Sequence, residues 1–208
     1  MFVTERIVAA ASMAWAAALL LAQLLLAWGG GRRDYSARAG SPLKGVWYNF
    51  SAAMTPAHKE TIRHHPFKFA VGVVLHVGVG VAWLEVLILL LWPRNPLGLS
   101  LVAASVSALS LPAGLYLLAR RAVSKNLRAM SCPDDYLSAL VACGLVAAAA
   151  LYGFGIIAAS PFLIVAAVTF FYLPLGKLRH VLFCPVSRLD LGRRLGYRGT
   201  YPAPRAPE

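Results

Sequence analysis

The sequence predicts an all-α integral membrane protein, a bundle of five transmembrane helices with its N-terminus outside and its C-terminus inside. Three observations predict it. Of 208 residues, 59% are hydrophobic and only 13% charged, and the mean hydropathy is +0.66, a balance foreign to soluble domains. Apolar runs long enough to cross a bilayer recur along the chain. The charges, net +12, collect between those runs and almost all on one side.

The first span covers residues 7–28. Its head carries Glu5 and Arg6 rather than a cationic leader, and Gly29-Gly30-Gly31 followed by Arg32-Arg33 reads as a stop-transfer boundary, so the segment is expected to be a helix and not a cleaved signal. Residues 29–65 form a polar connection, too short for a domain and too long for a simple turn. Its Trp47, Tyr48 and Phe50 suit the headgroup level, and its His58 reads as a solvated loop residue. The second span is 67–92, with Pro66 at the first helical position, where a missing N–H costs nothing. After Pro93-Arg94-Asn95-Pro96 comes the third span, 97–119, closed by Arg120-Arg121. Its serines at 100, 105, 107 and 110, with Gly114, read as a helix-contact face.

Pro133 followed by Asp134 and Asp135 suits a helix start, where acidic groups meet the positive end of the dipole. From residue 137 to 176 there is no charge at all. One helix cannot use that length, so two spans are expected, 136–156 and 160–183, turning within 153–161. The remainder, 186–208, reads as a basic cytoplasmic tail after a membrane domain of residues 1–185. Of 20 Lys and Arg, only Arg6 and Arg94 fall on one side. The other eighteen fix the orientation by the positive-inside rule, and the chain reads as a multi-pass protein of a bacterial or archaeal cytoplasmic (inner) membrane.

Several classes drop out. No basic region is interleaved with aromatics, so no nucleic-acid partner is expected. Cys132, Cys143 and Cys184 form no C-x-x-C pair, which argues against c-type haem attachment and against an iron–sulfur cluster held by this chain. There is no P-loop and no Ser/His/Asp set.

Chemistry is carried instead by ionisable groups in and around the second span, where such groups are costly. His65 and His76 are eleven residues apart, about 20° from the same helical face and about 16 Å apart along an axis that reaches both. Gly72 and Gly80 lie one turn either side of His76, leaving a shallow trough that suits the flat macrocycle of haem b. The alternative is a hydrogen-bonding histidine among helix-packing glycines. His180 ends the last span at the inner face, level with His64 and His65. His65 (or His64) with His180 is therefore a candidate ligand pair for an inner haem, and His76 a ligand for an outer one, either five-coordinate, completed by another subunit or absent. A competing arrangement pairs His76 with His180 around one haem. Lys177 and Arg179 are placed to pair with haem propionates, or to anchor the inner face. Glu85, nine residues beyond His76 and about 180° round the helix, is a candidate proton acceptor in quinol oxidation, or else a neutral, buried, hydrogen-bonded acid.

The stretches MTPAHKETIRHHPFKFAVGVVLHVGVG, NLRAMSCPDDYLSALV and LPLGKLRHVLF, with GRRLGYRG beyond, cover most of the chain after Phe50. They resemble the gamma subunit of respiratory nitrate reductase, and more closely its relatives in sulfite-reductase-associated, menaquinone-linked complexes. The resemblance implies a quinol-oxidising cytochrome b with haem between the second and fifth spans, ligated by His65, His180 and His76. It also implies menaquinol as substrate, and iron–sulfur or multihaem cytochrome subunits as partners. The sequence departs from that pattern near Phe162, where the resemblance leads one to expect a further histidine. The rival readings are a haem-free membrane anchor and, less suited to five spans without a repeat, a transporter.

Overall fold

The computed structural model describes residues 3–30, 40–58, 63–92 and 97–195. Among them the chain is entirely helical. Four helices are long and apolar enough to cross a membrane: α1 (Val3–Gly29), α3 (Pro66–Leu91), α4 (Leu97–Val123) and α6 (Pro133–Gly153). A fifth span results if α7 (Ala159–Tyr172) and the segment Lys177–Arg194 count as one broken crossing. Between the spans lie α2 (Pro42–Phe50) and α5 (Lys125–Ala129), and α8 (His180–Leu195) closes the described chain. The spans leave large apolar side chains outward, among them Ile7, Leu21, Leu84, Leu109, Ile164 and Val168. In water that surface would be an aggregation liability; in a bilayer it faces its proper solvent.

The chain divides into two compact units. The first comprises Met1–Leu20 and Ala70–Leu178. Small residues let its helices approach closely, as expected where lipid removes the hydrophobic drive between helices. A Cβ on Gly78 of α3 would overlap the side chain of Ser110 on α4. One on Gly114 of α4 would meet Cys143 Sγ of α6, and one on Gly153 of α6 would run into the Ser100 carbonyl and Ala104 of α4. Contacts at both ends of the α4–α6 pair require the two helices to run antiparallel. Around them Val86, Leu89, Leu145, Val146, Phe162 and Leu163 are almost fully buried. Trp15 of α1 stacks on Phe171 of α7 with ring centroids 5.8 Å apart, and the Arg6 guanidinium donates to the Leu90 carbonyl at the end of α3, a carbonyl near the end of the helix, where cations are favoured.

The turn between α6 and α7 falls inside the predicted window. Gly155 takes φ +72°, Ile156 N donates to Leu151 O at 2.9 Å and Gly155 N to Tyr152 O at 2.9 Å, the two bonds of a Schellman stop. The start of α6 is also as the acidic pair suggests. Asp135 accepts from Cys132 N at 3.0 Å and forms ion pairs with Arg121 at 2.9 Å and Lys177 at 2.7 Å. Asp134 accepts from Lys177 N at 2.9 Å and from the Tyr172 hydroxyl, and that hydroxyl lies 2.9 Å from Ser138 Oγ. These bonds hold the turn after α7 to the start of α6. Replacing Asp135 by alanine removes an N-terminal cap and two partly exposed ion pairs together. A lower unfolding midpoint in detergent is expected, because the cap and both pairs are lost together.

One expectation is corrected here. The final span does not run as a continuous helix over 160–183: helix ends at Tyr172 and resumes, after a short 3-10 turn at Lys177–Arg179, at His180. Pro174 removes a donor, and Gly176 is so enclosed that a Cβ would strike Tyr172 and Asp134. His180 is thus the first residue of α8.

The second unit comprises Leu21–Phe69 and Arg179–Glu208. Its described core is α2 against α8. A Cβ on Gly192 would meet the backbone of Gly45 and Val46, and Arg188 Nη1 donates to the Asn49 carbonyl at 2.8 Å. The segments read as polar connection and basic tail therefore contain a packed helical pair, although the last residues, 196–208, lie outside the described chain. On the opposite side of α2, Leu43, Trp47 and Phe50 stand exposed at i, i+4 and i+7, the stripe of an interfacial helix lying in the headgroup plane.

Candidate cofactor site and a buried carboxylate

His76 lies mid-way along α3 with its side chain exposed. Its Nδ1 is 2.7 Å from the Gly72 carbonyl. A carbonyl only accepts, so Nδ1 carries the proton and Nε2 is the nitrogen with a lone pair to give to a metal. Tying the far ring nitrogen to a carbonyl is how ligating histidines are usually oriented. Gly72 and Gly80 flank it, and a Cβ on either would meet nothing within 4 Å. Among the described residues neither packs against a neighbouring helix, whereas Gly78 does so against Ser110. The helix surface one turn either side of His76 is therefore shallow, as a flat macrocycle lying against it would require.

His65 precedes α3 as its cap: its carbonyl accepts from Phe69 N at 3.2 Å. His64 and His65 are exposed, as is His180 at the head of α8. Beside His180 in sequence, Arg179 and Phe183 line an open cleft of about 530 Å³ with Gln23 and Leu26 of α1, a volume within the range of cofactor sites. The Lys177 ammonium is engaged by Asp135 at 2.7 Å. His58, read as a solvated loop residue, is exposed and paired through Nδ1 with Thr55 Oγ1 at 3.1 Å. Among the described residues no three His, Cys, Asp or Glu side chains converge on a common point.

At Phe162, where the resemblance would put another histidine, the side chain is fully buried and stacked on Tyr152, ring centroids 5.2 Å apart. That position is core. Sequence reasoning found the gap but not the stack that fills it.

Glu85 is 2% exposed, and neither carboxyl oxygen has a hydrogen-bond partner among the described residues. Ser100 of α4 and Tyr152 of α6 are its polar neighbours. The residue also borders an apolar cavity of about 140 Å³ whose other walls are Val81, Leu84 and Ile88 of α3 and Leu99, Val102 and Ala103 of α4. Burial of a costly group was legible from the sequence; the cavity, and Tyr152 and Ser100 beside it, were not, because they depend on how α3, α4 and α6 pack. No family model, no curated protein and no solved structure matches this chain.

Proposed function

We propose that the chain is a haem b-carrying membrane subunit of a respiratory electron-transfer complex, one that exchanges electrons with the quinone pool by oxidising menaquinol. The observation that carries this reading is the state of His76: an exposed intramembrane histidine, its Nδ1–H fixed on a backbone carbonyl, between two glycines that leave the helix face open. His76 would bind iron through Nε2, while His180, with His65 or His64, supplies the second ligand set, and Arg179 would meet a propionate. When bound, haem supplies one-electron chemistry; the chain's own part is to orient the imidazole, shelter the macrocycle in lipid and offer a basic face to a protein partner. The eighteen Lys and Arg expected on the inner side favour docking of an electron-accepting iron–sulfur or multihaem cytochrome subunit there, in the cytoplasmic membrane of a bacterium or archaeon.

The test is haem b per polypeptide by pyridine haemochrome, on wild type, His76→Ala and His180→Ala. Wild type is expected to carry haem b, with at least one haem lost in His76→Ala. Retention of all haem in His76→Ala with loss in His180→Ala would move the site to the second ligand set. An intact preparation without haem would sink the cytochrome reading and leave a membrane anchor.

A further inference from the structure

We propose that α2 is a lipid-selecting interfacial helix: its apolar stripe enters the bilayer surface, and the cations beside it favour anionic over zwitterionic phospholipid there. Three observations carry this, the first being which side of the helix is left uncovered. At 100° per residue, Leu43, Trp47 and Phe50 fall within about 60° of one another on α2, and they are 83%, 76% and 46% exposed. Gly45 and Asn49 lie on the other side and are buried, because α8 packs there. A Cβ on Gly192 would meet the backbone of Gly45 and Val46, and Arg188 Nη1 donates to the Asn49 carbonyl at 2.8 Å.

The second observation is charge. The unit of Leu21–Phe69 and Arg179–Glu208 carries thirteen of the chain's 20 Lys and Arg against four Asp and Glu. Lys44 is exposed on α2 itself, about 60° round from Trp47 and so at the edge of the stripe. Arg193 is exposed beside the contact glycine of α8. Neither is held in an ion pair among the described residues. A lysine stem lies along apolar surface while its ammonium reaches the phosphates, and one basic residue near an anionic membrane is worth about fivefold in affinity. The third observation is size. Weighted by their exposure, the three side chains offer on the order of 400 Å², about half of the ~800 Å² that each side of a stable protein interface buries. A second copy or a protein partner therefore fits the stripe less well than lipid, whose surface is where tryptophan concentrates.

The full chain is reconstituted in bilayers of equimolar phosphatidylcholine and phosphatidylglycerol, with brominated acyl chains on one lipid or on the other. The Trp47 signal is the fluorescence of wild type less that of Trp47→Phe. Brominated phosphatidylglycerol is expected to quench it at least about threefold more than brominated phosphatidylcholine does. Lys44→Gln combined with Arg193→Gln is expected to bring that ratio close to one, with helicity and elution volume unchanged. Lys125→Gln combined with Arg128→Gln removes the same charge from exposed positions of α5, outside this unit, and should leave the ratio as in wild type. Equal quenching by the two lipids in wild type, or an equal fall in the α5 control, overturns the selection. Trp47 quenched by neither lipid overturns the interfacial placement itself. Aqueous acrylamide then says what replaces it: quenching means water at the stripe, and protection means a protein cover. No arm of the experiment involves haem, so its outcome is independent of the electron-transfer reading.

Discussion

Gly153→Leu is expected to prevent assembly of the α4–α6 pair. The Cβ alone would collide with the Ser100 carbonyl, a backbone atom that cannot swing aside, and with the Ala104 methyl. Overpacking a core by a methylene or two costs about 1–3 kcal/mol; a whole isobutyl group forced against backbone must separate the helices and will exceed that. Three consequences follow from the same contact. Phe162 loses the Tyr152 stack one residue before Gly153, the Gly155 stop is displaced, and the wall of the Glu85 cavity on α4 moves with Ser100. The protein should then elute as aggregate after extraction. Gly144→Ala is the internal control: it lies on the same helix, and an added Cβ meets nothing within 4 Å, so the better helix former should gain up to about 1 kcal/mol. Size-exclusion profiles before and after a heat step distinguish the two. If both variants behave alike, the close approach at Gly153 is not what holds α4 to α6.

That contrast also shows what a single sequence discloses. Hydropathy located the spans because lipid imposes the same length and apolarity on each helix, and Gly153–Pro161 was bracketed as a turn because forty uncharged residues overrun one crossing. It did not distinguish Gly153, which holds a helix contact, from Gly144, which faces open space; both are glycines in a small-residue run, and only the neighbour decides. The last span was read too long for a related reason. LPLG lies within an apolar run, and averaged hydropathy passes over Pro174 and Gly176, although a proline and an enclosed glycine two residues apart are a stop signal when taken residue by residue. α2 and α8 escaped because their apolar content is one-sided and their pairing joins segments well over a hundred residues apart. The cost of His76 and Glu85 was plain from type and place alone. Their surroundings were not: the Gly72 carbonyl bond follows from local helix geometry, whereas the emptiness over Gly80 and the cavity beside Glu85 are properties of what the other helices leave uncovered.

Glu85→Leu is expected to make the protein more stable. In the wild type a buried carboxyl stands with no partner at either oxygen, and an unsatisfied buried polar group costs about 1–3 kcal/mol. Leucine removes that cost and adds aliphatic contact with Val81, Ile88 and Ala103, residues already lining the space. For a chain of this size each kcal/mol shifts the midpoint by about 2–4 °C, so a rise of several degrees is expected in a thermal melt followed by circular dichroism. Glu85→Gln should gain less, because an amide has the same unmet hydrogen bonds without the charge. A Glu85→Leu protein less stable than wild type would mean that the carboxyl already has a partner, Ser100 of α4 being the nearest to hand, and that the pairing outweighs the cost of burying the group.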